Sequence, residues 1–458
     1  MLLPQEIIDL IIDQVSAEGR ASQLMKTCSL VSHSFHARAR THLFARIYLE
    51  NRTSGYQTRA RRFLSILKYK KNSELLSHIR SVKIFLRLHA QTYSQQQRSS
   101  RRLLKLVGID TSPIKAVLAL LKDASIEELI LEGNSPCHFR NHRMTILLLE
   151  LCSNPNIKTL CFHGIPNIPS RFIIGNGQDR SLTRLALRRS TISDYWFDIP
   201  PPTVVSIAAG LETLELVRMT SEEFWKVSHS ICPRLPSPLS QSFKNLKNLA
   251  VTFPQGNGEE RNQRWNFILG VAKTLESLEL CLGYIYSREL SLHLRTGHGH
   301  PDNTSEWPPF DASPLRFDQL KSLRRLKIMS VDKCRTSSEL SNELTFLATI
   351  LASSASPLHV CSVILEISFA ASSVSRYREV AMSSILEPYK WLPIDRVLAS
   401  PRYFVDLRSV EVMVKGKLTI YDDVDFSSSN ILLDSKEIDF AALLPTLSSH
   451  PQISLVKL

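Results

Sequence analysis

The sequence predicts an α/β protein in which a small three-helix module leads into an irregular solenoid of strand–helix units. Three observations carry this expectation. The pattern apolar-x-x-apolar-x-apolar recurs eleven times from Ile79 onward, at intervals of 25 to 48 residues. Segments with helical periodicity lie in five of the ten intervals between copies. The first forty-nine residues lack the pattern and hold three short runs of helical spacing instead.

The chain opens with LPQEIIDLIIDQV, Leu3 to Val15, whose apolar residues Ile7, Ile8, Ile11, Ile12 and Val15 make one broad face on about three helical turns. Pro4 suits a first turn, where its missing N–H is no loss. Glu6 and Asp9 suit the positive end of the helix dipole. After a polar break, SQLMKTCSLVSHSF is expected to place Leu24, Cys28 and Val31 on one face and to end in Phe35. HARARTHLFARIYL is expected to form a third helix running to Leu49. Three helices of this size bury only a small core of their own.

Residues 50–78 read as a basic helical linker. The segment 50–110 holds fourteen Lys/Arg against three Asp/Glu, so it carries +11 of the chain's net +13. RARR at Arg59–Arg62, KYKK at Lys68–Lys71 and RSSRR at Arg98–Arg102 hold most of that charge. Such a density binds phosphate backbones or acidic partners in a salt-dependent way. Its aromatics, Phe63, Tyr69 and Tyr93, are too sparse for a base-stacking platform.

Residues 79–458 carry the repeats. IRSVKI (from Ile79), IEELIL (Ile126), IKTLCF (Ile157) and LTRLAL (Leu182) come first. LETLEL (Leu211), LKNLAV (Leu246), LESLEL (Leu275) and LRRLKI (Leu323) follow, then VCSVIL (Val360), LRSVEV (Leu407) and ISLVKL (Ile453). Each copy is a short strand with alternate residues pointing inward, preceded by an apolar anchor. SPIKAVLALLKDA, with Ser112 as N-cap and Pro113 in the first turn, is one of the intervening helices. MTILLLELC, RWNFILGVAKT, SSELSNELTFLATILA and DFAALLPTLSS are the others. Two insertions, 228–243 and 294–314, are rich in Pro, Ser and Gly and read as loops.

Leu3-Pro4-x-Glu6-Ile7 with Ile11 and Val15, VSHSF at Val31–Phe35 and LFARI at Leu43–Ile47 together resemble the F-box. Phe35 stands where a Trp is frequent in that family, and the second helix is matched only loosely. The strand–helix units resemble an irregular leucine-rich repeat without a dependable Asn at the strand's end. The combination is similar to the large fungal F-box family.

What the resemblance implies is a docking module for the adaptor subunit of an SCF-type cullin–RING ubiquitin ligase. The residues expected to dock are Leu3, Pro4, Ile7, Ile8, Ile11, Leu24, Val31 and Phe35, some of which must instead hold the helices together. The expected partners are the adaptor, a cullin through it and an unknown protein target. Nucleic acid, bound through the basic segment, is the lesser alternative, and no membrane is expected.

No catalytic constellation is legible: Walker A, G-x-G-x-x-G, H-E-x-x-H and G-x-S-x-G are all missing. His298 and His300 sit in a Gly/Pro-rich loop without a paired ligand framework, so no metal is expected, and no cofactor. Eight scattered cysteines without a C-x-x-C point to reduced thiols in an intracellular, cytoplasmic or nuclear protein. Binding is therefore the expected activity, and the strand faces are where it is expected. The third, fifth and seventh positions of each copy should face away from the core. They present Glu128 and Glu132, then His163, then Arg184 and Arg188, which are the candidates for target capture.

Overall fold

A computed structural model gives the fold of the 458-residue chain. It describes all residues except 1–3, 18–20, 51–56, 69–73, 87–111, 134–141, 175–180, 194–206, 221–222, 228–242, 255–257, 284–314, 331–336, 374–386, 422–427, 434–438 and 457–458. The insertion 294–314, all of the insertion 228–243 except Phe243, and most of the basic segment lie outside the described residues, as do His298 and His300. The chain divides into two compact units, Met1–Gly210 with Lys226–Pro233, and Leu211–Trp225 with Arg234–Leu458.

The first unit begins with α1 (Gln5–Ala17), α2 (Ala21–Val31) and α3 (His33–Ala45). The third helix was expected to reach Leu49, but it stops at Ala45 and the chain enters β1 (Arg46–Glu50). From Arg46 the apolar period changes from helical to two. Ile47 and Leu49 are buried while Arg46 and Tyr48 are exposed. Next come α4 (Gln57–Lys68) and the short α5 (Leu75–His78), then β2 (Ser81–Leu86), α6 (Ser112–Leu121), β3 (Glu128–Gly133) and α7 (His142–Cys152). Beyond these lie β4 (Thr159–His163), β5 (Ile168–Pro169), α8 (Ser170–Ile174), β6 (Arg184–Arg188) and β7 (Ile192–Ser193). The main sheet is parallel in the order β1-β2-β3-β4-β6, and β5 and β7 form a separate parallel pair.

The second unit holds β8 (Thr213–Val217), β9 (Asn248–Pro254), α9 (Gly258–Gly270), β10 (Ser277–Gly283) and β11 (Arg325–Ser330). It continues through α10 (Ser337–Leu351), β12 (Ser362–Ser373), α11 (Pro388–Leu398) and β13 (Ser409–Tyr421). β14 (Ser428–Leu433), α12 (Phe440–Leu443), α13 (Pro445–Ser448) and β15 (Ser454–Val456) end it. Strands β8 to β13 are parallel neighbours in sequence order. β14 runs antiparallel to Gly416–Tyr421 of β13, and β15 pairs in parallel with Ser409–Glu411 of the same strand.

All eleven motif copies are strands. The anchors Ile79, Ile126, Leu211, Leu246 and Leu275 are completely buried, as are the inward Val82, Ile84, Leu129, Leu131, Leu214 and Leu216. Each such side chain contributes roughly 1.5–3 kcal/mol on leaving water. Behind the sheet of the first unit, α6 buries Val117, Leu118 and Leu121, and α7 buries Leu148 and Leu151.

Successive copies are joined by one repeated backbone device. Two consecutive N–H groups entering a strand donate to the same carbonyl of the preceding copy. Glu127 and Glu128 donate to Arg80, Lys158 and Thr159 to Glu127, Glu276 and Ser277 to Lys247, and Arg408 and Ser409 to Cys361. The last copy departs by one residue. Leu455, and not Val456, lies in register with Val410, and Ser454 donates to Arg408.

At the far end of β4 the chain turns through Gly164, whose φ is +66°. A Cβ there would stand 2.2 Å from the carbonyl oxygen of Gly133, so only glycine allows β3 and β4 to end side by side. Arg189 and Arg218, each next after its strand, adopt the same left-handed conformation at φ 53° and 58°. The turn thus recurs without its glycine.

Candidate docking and recognition surfaces

The three N-terminal helices sort their apolar residues into two sets. Ile8 and Ile12 of α1, Met25 of α2 and Ala39 of α3 form a buried cluster, with Val15, Cys28, Phe35 and Leu43 packed against it. Inward residues on α1 follow i, i+4, i+7, and those on α3 follow i, i+4, i+8, the spacing of one helix face. Ala39 at the crossing lets the backbones approach. A second set points to solvent: Ile7 is 46% exposed, Leu10 67%, Ile11 40%, Leu24 38%, Leu30 85% and Val31 63%.

This division redistributes the expected docking residues. Ile8 and Phe35 belong to the helical core, whereas Pro4, Ile7, Ile11, Leu24 and Val31 are exposed, and Leu3 lies outside the described residues. The second helix was expected to put Leu24, Cys28 and Val31 on one face. Met25 takes the inward place beside Cys28 instead, three residues apart on one stripe, and leaves Leu24 and Val31 outside.

Local chemistry holds the helices at these angles. The Pro4 carbonyl accepts from the N–H groups of Ile7 (3.1 Å) and Ile8 (3.3 Å) and so starts α1. In VSHSF, Ser32 is extended, at φ −159°, and its Oγ accepts from the Phe35 N–H, capping α3. Asp13 joins α1 to α3 by accepting from Arg38 Nε (2.8 Å) and Nη2 (2.6 Å), and its Oδ1 lies 2.7 Å from His42 Nε2.

Hydrogen bonds from Arg38, then His42, hold the Asp13 carboxyl down at about 2. A carboxyl depressed on folding adds stability that is complete above its ordinary pKa of 3.8 and fades as pH falls toward 2. Comparing wild type with Asp13→Asn should therefore give a stability difference that is constant above about pH 5, mostly lost by about pH 2 and gone near about pH 1. A gap that stayed undiminished at about pH 2 in the helical circular-dichroism signal would contradict this. The side chain is 42% exposed, so solvent screens the effect and keeps it modest.

The basic segment contributes α4, where Ala60 is buried and Arg61 and Arg62 are exposed.

The expected recognition residues share one face of the first unit's sheet. In register, Glu128, Thr159 and Arg184 form one row across β3, β4 and β6, and Glu132, His163 and Arg188 form another. Acid and base in a row are thus two strand spacings apart, about 9.6 Å. Glu128 accepts from Ser81 Oγ at 2.6 Å, and Glu132 pairs with Lys83 at 2.6 Å, whose ammonium lies 5.9 Å from the centre of the Tyr48 ring. Between the rows, Cys161 and Ala186 are buried.

The corresponding face of the second unit is more closed than an open ladder would be. Val217, Ala250 and Cys281 form a small buried cluster with Met329 against it, and Glu215, Thr252, Ile364 and Glu366 are buried too. In-register side chains on adjacent strands sit close enough to shield one another from water. Within this face Lys327 Nζ bridges Glu279 (3.4 Å) and Glu366 (3.2 Å). Burial pulls the Lys327 ammonium down, but the two carboxylates outweigh it and leave the pKa raised.

Sequence reasoning missed the Asp13–Arg38–His42 junction and this bridge, because partners so far apart along the chain leave no local spacing to detect. Among the described residues no group of three or more His, Cys, Asp or Glu could hold a metal ion. Among the same residues no helix is long and apolar enough to cross a membrane. No protein-family model matches the sequence, and no curated protein matches it.

Proposed function

We propose that this chain is a non-catalytic substrate receptor of an SCF-type cullin–RING ubiquitin ligase. Its N-terminal helices dock to the adaptor, and the sheet face bearing Glu128, Glu132, His163, Arg184 and Arg188 holds a target protein. Its contribution is proximity, since it brings target lysines within reach of a conjugating enzyme that the ligase recruits.

The observation that carries the reading is the sorting of apolar residues in α1 and α2. A helical module that already has its own core of Ile8, Ile12, Met25 and Ala39 still exposes Ile7, Leu10, Ile11, Leu24, Leu30 and Val31. Covering such side chains at an interface supplies roughly 1.5–3 kcal/mol each. The F-box resemblance of Leu3–Ile7 and Val31–Phe35 names the partner that would cover them.

A pull-down with purified adaptor tests this, using wild type and an Ile7→Asp/Ile11→Asp variant. Both positions are exposed, so the variant should keep the wild-type circular-dichroism spectrum. We expect wild type to bind and the variant to bind about a hundredfold more weakly, the loss of two interface anchors. Absence of binding by wild type would sink the reading. Salt-dependent binding of RNA or DNA by residues 50–110 would then be the property to measure.

A further inference from the structure

The second unit contains a groove of about 440 Å³ with no role in the reading above. It lies between two loops, the one that leads into β11 and the one that leads into β12. Its floor is apolar and buried: Phe317, Leu320, Leu358 and Val360 are at most 3% exposed. Its rim, Lys321, Ser356, Pro357 and His359, is exposed. Asp318 completes the wall.

One polar group here lacks a partner, and one exposed cation stands on the rim. Asp318 Oδ2 accepts from Arg316 Nη2 at 3.0 Å, but Oδ1 is buried with no hydrogen-bond partner. Its charge is already met by Arg316, so Oδ1 lacks a neutral donor and not a second cation. Leaving such an acceptor unpaired costs roughly 1–3 kcal/mol. Lys321 is exposed and offers a positive charge to an incoming anion. Among the described residues its ammonium meets no carboxylate. The nearby Asp406 is taken by His359, whose Nδ1 lies 2.7 Å from Asp406 Oδ2.

The groove therefore suits a ligand with one neutral donor, one anion and an apolar body. We propose that it binds the C-terminal residue of a partner polypeptide with an aliphatic or aromatic side chain. The side chain covers Phe317, Leu320 and Leu358, the backbone N–H donates to Asp318 Oδ1, and the terminal carboxylate pairs with Lys321. The exposed Lys321 stem and the rim at Ser356 and Pro357 move aside to admit the N–H. A free amino acid fits less well, because its ammonium would enter beside Arg316 and Lys321. The proposal goes beyond adaptor docking, and its test contains no adaptor, so the two readings fail separately.

The test is fluorescence anisotropy with the full chain and a labelled pool of hexapeptides, random at five positions and ending in leucine. The pool is made once with a free C-terminal carboxylate and once as the amide. Wild type should bind the acid pool at least about tenfold more tightly than the amide pool, the worth of one charge-assisted hydrogen bond. Lys321→Glu should abolish that preference, and Leu358→Asp should abolish binding of both pools. Lys321→Glu alters an exposed side chain, so it leaves the fold intact and keeps the test decisive if Leu358→Asp unfolds. Equal binding of acid and amide, no binding up to millimolar protein, or an acid preference that survives Lys321→Glu would each overturn the proposal. So would competition by free leucine at concentrations that the amidated pool cannot match.

Discussion

Arg264→Ala should unfold the second unit locally around β8 and β9. Amide exchange in Asn248–Pro254 is expected to accelerate by roughly a thousandfold, equivalent to about 4 kcal/mol. Arg264, on α9, is 1% exposed, the most deeply buried of the charged side chains apart from Asp395. Its guanidinium donates through Nη1 to the Thr252 carbonyl and through Nη2 to the Met219 carbonyl, 2.9 Å away. It also lies 4.9 Å from the centre of the Phe224 ring. One side chain thus ties the end of β9 to the turn that leaves β8, and alanine would orphan two buried carbonyls and open a cavity beneath them.

Charge is not what this arginine contributes most. Burial pushes its pKa down to about 10, the mark of a desolvated cation that Glu260 and Glu223 only partly compensate. Arg264→Lys would keep the charge but lose the planar fork, and should cost nearly as much as alanine. Arg264→Met would keep the volume but orphan the same two carbonyls, so it should be costly too, though less than alanine, which opens a cavity as well. If methionine proved as stable as wild type, packing volume and not the two-carbonyl clamp would be the stabilising element. Unchanged exchange in β9 with alanine would refute the clamp altogether.

That clamp also marks where the sequence stops being readable. The strands were legible because each copy carries its own evidence: a buried anchor such as Ile126, then inward residues such as Leu129 and Leu131 at period two. The four strands without an anchor, β1, β5, β7 and β14, were not seen. β1 was absorbed into the helix before it, because RIYL reads equally well as the tail of a helical run. The last strand was placed one residue off because Ile453 looks like an anchor, while the backbone register makes Ser454 the entering residue.

Within α1 the adjacent isoleucines Ile7–Ile8 and Ile11–Ile12 fit a single stripe equally well. Only the positions of α2 and α3 decide that Ile8 and Ile12 turn inward. Side-chain clamps were invisible for a related reason. Arg264 reaches a carbonyl 45 residues away and Asp13 an arginine 25 residues away, and neither has a spacing signature. The candidate capture residues fared differently: the period-two rule put Glu128, Arg184 and their row-mates on one face, and the register places them there. It gave no sign that the second unit's corresponding face closes over Cys281 and Glu366.

Asp395→Ala should release the end of the described chain while leaving β8 to β12 intact. Asp395, on α11, is completely buried, and its two oxygens accept from the N–H groups of Leu447 (2.8 Å) and Thr446 (3.0 Å). Those N–H groups open α13, a four-residue helix whose N-cap position, Leu444, supplies no side-chain acceptor. The cap therefore comes from 51 and 52 residues earlier in the chain than the two N–H groups it meets.

β15 follows five residues after α13 and adds only three residue pairs to β13. So short a strand holds its register only while the helix before it is seated. Losing both bonds of a buried carboxylate should cost roughly 3 kcal/mol. Exchange of the Leu447 amide and of the Ser454 amide, which donates to the Arg408 carbonyl, should then rise together by about a hundredfold. Asp395→Asn keeps one acceptor and the shape, and should fall between wild type and alanine. If the Leu447 amide were exposed by Asp395→Ala and that of Ser454 stayed protected, β15 would be held by its own pairing and the two elements would be independent. If both responded equally, the last strand and the helix before it form a single cooperative unit pinned by one aspartate.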